Sequence, residues 1–153
     1  MPVQFSRSDG SSGKKAPRIF TSADKRGIRV EEVNQLFAKA GWQTRNPDKL
    51  EVALQNSLFC VTARLFKEQV LIGFVRATSD GVFNATVWDL VVDPSLPNAA
   101  TTKALLIERL KREVTRTMPQ CAISIFAHPQ DLSVLDEANF AKDKKGIQAM
   151  AWR

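Results

Sequence analysis

The sequence contains no tyrosine, one histidine and two cysteines among its 153 residues. Without tyrosine, no phenolic hydroxyl is available for proton transfer in any reaction that the chain performs. A single histidine excludes a metal centre built from several histidines, and we predict no metal site. Cys60 and Cys121 each lie within an apolar run, which favours two buried, reduced thiols over a disulfide.

Long apolar runs are also missing. The longest stretches, such as residues 58–63 and 70–75, are far shorter than the ~20 residues of a membrane-spanning helix. The first residues lack the apolar run of a secretory signal. We therefore expect no membrane span and a cytoplasmic location. A hydrophobic content of 44% over this length suits one globular domain with a core.

Positive charge is concentrated at the start of the chain. The net charge is +6, and residues 1–29 hold seven Lys/Arg against two Asp, so the remainder is nearly neutral. Small polar residues and glycines in "SRSDGSSGKKAP" predict a flexible basic tail at 1–17, ahead of a folded domain at 18–153. We expect the tail to be simply solvated or to contact an acidic protein partner. Nucleic acid is the less favoured partner, because charge alone supports it.

Hydrophobic periodicity predicts an α/β domain. Helical spacing or cap signals appear at 30–40, 46–57, 101–114 and 132–138. Strand-like runs appear at 18–22, 58–66, 70–78, 83–92 and 121–127, and "GIQAMAW" at 146–152 predicts a closing strand. Short turns between the second, third and fourth runs favour an antiparallel meander. The order predicts a mixed, mostly antiparallel sheet of about six strands with helices on both faces.

Several segments resemble one family. They are "AGW" at 40–42, "LIGFVRATSDGVFNATVWDLVVDP" at 71–94, "KALL" at 103–106, "IFA" at 125–127 and "GIQAM.W" at 146–152. Together they resemble the GNAT superfamily of acetyl-CoA-dependent N-acetyltransferases. The likeness is to its cyanobacterial and plastid branch, which includes plant serotonin N-acetyltransferases. The resemblance runs from about residue 18 to the end and adds the cyanobacterial cytosol or the plastid stroma as the expected location.

The resemblance implies a coenzyme site and a mechanism. The fourth strand splays from its neighbour and binds the pantetheine arm of acetyl-CoA through backbone groups near Leu90 and Val92. The following loop, here Asn98, Ala99, Ala100, Thr101, Thr102 and Lys103, opens a helix whose amides face the pyrophosphate. A tyrosine on a late short helix commonly protonates the departing thiolate, and a carboxylate takes a proton from the substrate amine.

The coenzyme loop departs from the family pattern, Gln/Arg-x-x-Gly-x-Gly/Ala. In gap-free register, Pro97 occupies the Gln/Arg position and brings no backbone N–H. Ala100 and Thr102 occupy the two glycine positions, where they add Cβ atoms and resist positive φ. Asn98 replaces another frequent glycine. These changes predict a degenerate loop with weakened coenzyme binding, although a threonine hydroxyl remains available to a phosphate.

The proton-transfer groups also depart. Leu135 stands where the family has its acid tyrosine, a loss that costs about 10²–10⁴ in rate. Asp89 lies on the predicted central strand, where burial would raise its pKa as a general base requires. The alternative is a structural acceptor that holds a neighbouring turn. His128 at a strand end and Trp88, as a stacking surface for an indole-type substrate, are further candidates.

Two functions are left open by these residues. The first is a non-catalytic or weakly active binding or regulatory module that contacts another protein, because two functional elements have changed while the scaffold segments remain. The alternative is an active N-acetyltransferase acting on a small amine or a protein amine, with Asp89 as base. Acetyl-CoA is the expected cofactor if the chain is active, and otherwise we expect none.

Overall fold

The computed structural model describes residues 17–152, so almost all of the predicted basic tail at 1–17 lies outside the described residues. The elements in chain order are β1 (Ile19–Ser22), α1 (Val30–Lys39), α2 (Pro47–Asn56), β2 (Phe59–Leu65), β3 (Leu71–Ser79), β4 (Asn84–Val92), α3 (Ala99–Thr117), β5 (Ala122–Ile125) and α4 (Leu132–Glu137). Short 3-10 helices lie at Lys25–Gly27 and Pro129–Asp131.

The strands form one sheet in the order β1-β2-β3-β4-β5. Strands β1 to β4 pair antiparallel with their neighbours, and β5 runs parallel to β4. The predicted meander and the mixed, mostly antiparallel sheet are therefore confirmed. Strand β4 lies between β3 and β5, in the interior position that its two apolar faces predicted.

Helices cover both faces of the sheet. On one face, a core cluster joins α3 and α4, through residues such as Leu106 and Leu135, to the inner side chains of β2, β3 and β4. On the other face, α1 and α2 contribute Phe37 and Leu50 to a second cluster that includes Phe74 of β3. The α/β arrangement with helices on both faces is confirmed. Cys60 is buried in the second cluster, whereas Cys121 is only partly buried, contrary to expectation.

The sheet has five strands within the described residues, not six. The predicted closing strand at 146–152 does not pair with any strand, and its backbone is irregular. A run of apolar residues forms a strand only where it lies beside a sheet edge, and this segment remains exposed and does not pair with the outer edge of β5. None of the helices between residues 17 and 152 combines the length and apolarity that crossing a bilayer requires.

Local signals explain the helix starts. Pro47 occupies the first turn of α2, and the side chain of Asn46 accepts a hydrogen bond from the Lys49 amide, as the sequence predicted. Helix α3 begins at Ala99, two residues before the predicted start. The residue before it, Asn98, has a left-handed backbone (φ 69°), a conformation that asparagine tolerates better than most residues.

Candidate functional site

Strands β4 and β5 separate halfway along β4. Asn84–Val87 pairs with Ala122–Ile125, where β5 ends, but β4 continues to Val92. The half of β4 from residue 88 to 92 therefore has no strand beside it on the β5 side within the described residues. Its backbone groups on that side are left to other partners, because each N–H and C=O of a strand needs one.

A β-bulge lies at the point of separation. Phe74 faces Val91 and Arg76 faces Trp88, so β4 has one more residue than β3 between these pairs. Asp89 takes up the extra length with a left-handed backbone (φ 58°). A bulge of this kind bends the strand and redirects the side chains around it.

A cavity of about 260 Å³ lies beside the free half of β4. Its walls come from β4, from the first turn of α3, from the end of α1 and the residues after it, and from the α4 region. The lining residues are Ala40, Trp42, Leu90, Val91, Val92, Pro94, Ala99, Ala100, Lys103, Gln130 and Val134. Five predicted coenzyme-binding residues are therefore brought together here, namely Leu90, Val92, Ala99, Ala100 and Lys103. The structure places Asn98, Thr101 and Thr102 outside the lining.

The first turn of α3 presents free amides next to this cavity. The first hydrogen bond of the helix runs from the Thr102 N–H to the Asn98 carbonyl, at 3.2 Å. The amides of Ala99, Ala100 and Thr101 precede it and have no partner within the helix. The positive end of a helix of 19 residues therefore lies against the cavity wall.

The substituted glycine positions do not strain the loop. Left-handed non-glycine residues include Asn98 but neither Ala100 nor Thr102, which both lie inside α3. The expectation that these two side chains oppose a required positive φ is therefore wrong for this conformation. Ala100 is exposed at the cavity, whereas Thr102 is fully buried and its methyl group lies beside Gly73. The Thr102 hydroxyl has no hydrogen-bond partner.

Lys103 is paired with a buried carboxylate that the sequence did not single out. Its ammonium group donates to Asp131, which is 2% exposed at the start of α4. The pair joins the first turn of α3 to the α4 region across the cavity. Lys103 is the only ionisable residue among those lining the described cavity. Its charge is therefore already partly balanced.

Both carboxylate oxygens of Asp89 accept hydrogen bonds from arginine side chains. Arg45 donates to both carboxylate oxygens, at 2.7 and 2.6 Å, and the Arg76 Nε donates to one of them at 2.6 Å. Burial raises the pKa of the Asp89 carboxyl, but the hydrogen bonds and charges of both arginines outweigh it, so the pKa lies below its usual value. The predicted raised pKa is therefore wrong, and the prediction of a structural acceptor fits the contacts.

Besides its pairing with Asp89, Arg45 is held in place by Asn34 and Phe37. The side chain of Asn34 on α1 accepts from the Arg45 amide at 2.9 Å and donates to its carbonyl at 2.8 Å. The Arg45 guanidinium also lies over the ring of Phe37, 4.9 Å from its centre. Sequence reasoning missed Arg45, Asn34 and Arg76, because nothing in their local pattern indicates a partner so far along the chain.

Helix α4 itself presents an apolar side chain to the cavity. Leu135, at the position of the family's tyrosine, is 3% exposed and packs in the main core. The preceding residue, Val134, lines the cavity. No hydroxyl or thiol side chain is found among the lining residues of the described cavity, so it has no neutral oxygen or sulfur acid.

The remaining candidates lie at the edges of the site. The ring of His128 is centred 6.1 Å from that of Trp42, which lines the cavity. Trp88 is 37% exposed outside the cavity, its indole N–H donates to Thr78, and its ring lies 5.3 Å from Phe126. Residues 17–152 contain no cluster of three His, Cys, Asp or Glu that could hold a metal ion.

Comparison with known proteins finds N-acetyltransferases among the sequence relatives of this chain. The chain is 35% identical over 126 residues to the chloroplastic GCN5-related N-acetyltransferase 1 of Arabidopsis thaliana, and the match covers 82% of this chain and 63% of that protein. It is 34% identical to the uncharacterized N-acetyltransferase ycf52 of Pyropia yezoensis, over 88% of this chain and 76% of that one. The chloroplastic serotonin N-acetyltransferase 2 of Oryza sativa is 32% identical, over 82% and 63%. The chain thus spans just under two thirds of the length of two of these relatives.

Solved structures agree on the fold. A probable acetyltransferase from Staphylococcus aureus superposes with a TM-score of 0.75 at 20% identity, covering 89% of this chain and 99% of that one. A GNAT family N-acetyltransferase from Escherichia coli in complex with CoA gives a TM-score of 0.54 at 15% identity, over 67% and 59%. No protein-family model matches the chain. The sequence relatives, together with the splayed β4–β5 pair and the cavity at the start of α3, show that the chain belongs to the GCN5-related N-acetyltransferase (GNAT) family.

Proposed function

We propose that this GNAT protein binds acetyl-CoA in the cavity beside β4 and acts mainly as a binding or regulatory module, with acetyl transfer slow or absent. One observation carries the proposal. The binding cavity is retained, while the groups expected to move protons are either paired or absent. Asp89 is occupied by Arg45 and Arg76, and the α4 side presents Val134 in place of an acidic hydroxyl.

The residues around the cavity fit the coenzyme. The unpaired half of β4 offers the backbone of Leu90 and Val92 to the amides of a pantetheine arm. The free amides of Ala99 and Ala100 suit a phosphate, and their side chains are small. When bound, acetyl-CoA would supply an activated acetyl thioester to an amine.

The side chains support only slow transfer. A substrate ammonium must lose a proton before it can attack, and Asp89 is a poor base because its pKa is lowered and both of its oxygens are hydrogen-bonded. Water would have to protonate the departing thiolate. A missing acid of this kind costs about 10²–10⁴ in rate. Slow turnover is therefore expected even with the coenzyme in place.

A second candidate is an active N-acetyltransferase on a small amine or a protein amine. The cavity and the free amides at the start of α3 are compatible with it, as they are with the first candidate, because both candidates bind acetyl-CoA. The names of the relatives, which include a serotonin N-acetyltransferase, agree with an amine substrate. An active enzyme would rely on bulk water to take the proton from the substrate ammonium and to protonate the departing thiolate.

We further propose that the chain contacts a protein partner and is located in a plastid or a cyanobacterial cell. The excess of basic residues at 1–29 supports contact with an acidic protein surface. The chloroplastic relatives from Arabidopsis and rice support the location.

A binding titration tests the coenzyme site. We expect acetyl-CoA at micromolar concentration to raise the melting temperature of the purified chain and to give a binding isotherm by calorimetry. Dephospho-CoA, which keeps the pyrophosphate, and free pantetheine, which lacks every phosphate and the nucleoside, serve as probes, and the difference between them reports the contribution of the pyrophosphate and nucleoside. An unchanged melting temperature at millimolar acetyl-CoA would refute coenzyme binding. The remaining function would then be a binding or regulatory module that uses no cofactor.

An activity assay then separates the two candidates. Thiol release is followed with acetyl-CoA and a panel of primary amines, including an indole ethylamine and a lysine peptide. We expect saturable binding with turnover that barely exceeds the hydrolysis rate. Turnover in the ordinary enzyme range of about 1–10³ s⁻¹ would overturn the module and establish the second candidate.

A further inference from the structure

A second cavity lies at the opposite end of α1 from the cavity beside β4. It has a volume of about 510 Å³ and shares no lining residue with the first cavity. Its walls come from β1, from β2, from the turn between β2 and β3, from the first turn of α1 and from the 3-10 helix that precedes α1. The volume lies within the ordinary range for sites that bind small molecules.

The guanidinium of Arg64 fixes the shape of this second cavity. It donates to both carboxylate oxygens of Glu32 on α1, at 3.0 and 2.6 Å. It also donates to the Gln69 carbonyl in the β2–β3 turn at 3.0 Å and to the Gly27 carbonyl at 3.2 Å. The Arg64–Glu32 pair is largely buried, with side chains 13% and 14% exposed. Three walls are therefore held in place before a ligand enters, which lowers the cost of binding.

The charged groups of the second cavity leave one carboxylate without a counter-charge. Both arginines in the walls are paired with Glu32, and Asp24 is paired with an arginine outside the cavity. Glu68, in the β2–β3 turn, forms no ion pair with any residue between 17 and 152. The unbalanced charge is therefore negative, and it favours a cation over an anion as the ligand.

Neutral groups that suit an ammonium ion also line the second cavity. Thr62 is 2% exposed, and its hydroxyl donates to the Ser22 carbonyl over 3.5 Å, which leaves its oxygen able to accept a hydrogen bond. The ring of Phe20 forms part of the wall and meets the ring of Phe66 edge to face, with the centres 6.2 Å apart. Aromatic faces attract organic cations. The carboxylate, the hydroxyl and the ring together match a protonated alkylamine.

We propose that the second cavity binds a small primary alkylammonium ion, held by Glu68, the Thr62 hydroxyl and the ring of Phe20. An amine bound here is a ligand and not an acetyl acceptor, because the 10 residues of α1, about 15 Å of helix, separate it from the cavity beside β4. Binding needs no acetyl-CoA, so its test is independent of the test of the proposed function.

A titration with n-butylamine, followed by the amide chemical shifts of the full chain, tests the site. This amine is protonated at neutral pH, as lysine is. We expect saturation with a dissociation constant of about 1 mM, and shifts at amides 20–28, 62–64 and 68–69. n-Butanol has the same chain length without the charge and should not bind at these concentrations. No saturation by about 50 mM, equal binding of n-butanol, or shifts confined to the cavity beside β4 would each overturn the proposal.

Glu68→Gln tests the charge. Glu68 is exposed, so the variant should keep the melting temperature of the wild type, while its affinity for n-butylamine should fall at least ~10-fold. Glu137→Gln is the matched control, because it removes an exposed carboxylate from the end of α4, outside the second cavity, and should bind as the wild type does. Equal weakening in both variants would show attraction to the net charge alone, and undiminished binding in Glu68→Gln would place the ammonium elsewhere. Either result would refute the site.

Discussion

The guanidinium of Arg45 and the carboxylate of Asp89 form a two-point ion pair, with N–O distances of 2.7 and 2.6 Å. The pair joins the loop between α1 and α2 to the bulge of β4, and Arg76 of β3 completes it on the other side. The Asp89 side chain is 7% exposed, Arg76 is 14% exposed and Arg45 is 40% exposed. The Asp89 carboxylate therefore fixes the backbone of β4 at the point where this strand separates from β5.

Replacing Asp89 with asparagine should destabilise the fold. The substitution keeps the shape but leaves two arginines, one of them largely buried, without their counter-charge, a loss of about 3 kcal/mol in the free energy of unfolding. Urea denaturation at neutral pH measures the loss. The matched control is Asp24→Asn, because Asp24 pairs with Arg26 at the surface, where ion pairs contribute little. Equal midpoints for the two variants would contradict the structural role of Asp89.

Acid should destabilise the protein through its paired carboxylates. Burial raises the pKa values of Glu32, Asp89, Asp93 and Glu113, but hydrogen bonds and nearby cations outweigh it and leave each pKa below its ordinary value of 3.8 or 4.5. A lowered folded-state pKa stabilises the fold above the unfolded value and loses that effect as the pH falls through the folded one. The melting temperature should therefore decrease as the pH is lowered below about 4.5, and it should decrease less steeply in Asp89→Asn. A flat profile down to pH 3 would contradict this.

Strand β3 and helix α3 lie close together at Gly73. A Cβ atom at this position would lie 2.9 Å from the Leu106 side chain and 3.2 Å from both the Ala63 Cβ and the Thr102 methyl group. Gly73→Ala should cost about 1–3 kcal/mol of stability, because helix and strand must move apart. Gly27→Ala is the control, since no heavy atom lies within 4 Å of its added Cβ. Chemical denaturation measures the stability of both variants. Similar midpoints would contradict a close contact between β3 and α3 at Gly73.

Much of the fold could be predicted from the sequence because its signals are local. Alternating apolar residues with short turns predicted β2, β3 and β4, and the Asn46-Pro47 pair predicted the start of α2. The prediction of a closing strand at 146–152 was wrong because an apolar pattern alone does not bring a segment beside a sheet edge, even where one such as the outer side of β5 is unpaired. Asp89 was found as a candidate, but its pKa was predicted in the wrong direction because its partner Arg45 is 44 residues away in the sequence.

The coenzyme loop shows a similar limit. Of the six predicted loop residues, three line the cavity, namely Ala99, Ala100 and Lys103, and three do not. Gap-free register did not show that Thr102, at the second glycine position, turns into the core. Helical periodicity contains this information in principle, since residues 102 and 106 lie on one face of α3. The family pattern assigns Thr102 to the coenzyme loop, although Thr102 follows the predicted helix start at Thr101, so its place on the inner face of α3 was missed.

The buried hydroxyl of Thr102 should be dispensable. Its oxygen has no hydrogen-bond partner, so Thr102→Val keeps the shape, removes a desolvated polar group and should stabilise the protein by about 1 kcal/mol. Thr102→Gly, which restores the family's residue, should instead cost about 2 kcal/mol through lost packing and helix propensity. Denaturation midpoints of the two variants should move in opposite directions. Thr101→Val, at an exposed neighbour, is the control and should change little.

Ala100 provides a test of the coenzyme site that separates binding from folding. It is exposed in the first turn of α3 and lines the cavity. An aspartate there suits the positive end of the helix, so Ala100→Asp should leave the melting temperature of the free protein unchanged or slightly raised. The same charge would oppose a phosphate at the free amides and should weaken acetyl-CoA binding at least ~10-fold.

Ala100→Asn is the matched control, because it has the size of aspartate without the charge. Calorimetric titration of the three proteins should give similar affinities for the wild type and the asparagine variant if charge is the cause. Equal weakening in both variants would indicate a steric effect. Undiminished binding in Ala100→Asp would mean that the phosphates lie elsewhere, even though the wild-type chain binds the coenzyme. Since each variant can be checked for folding without ligand, a loss of affinity reports on the cavity and not on the stability of α3.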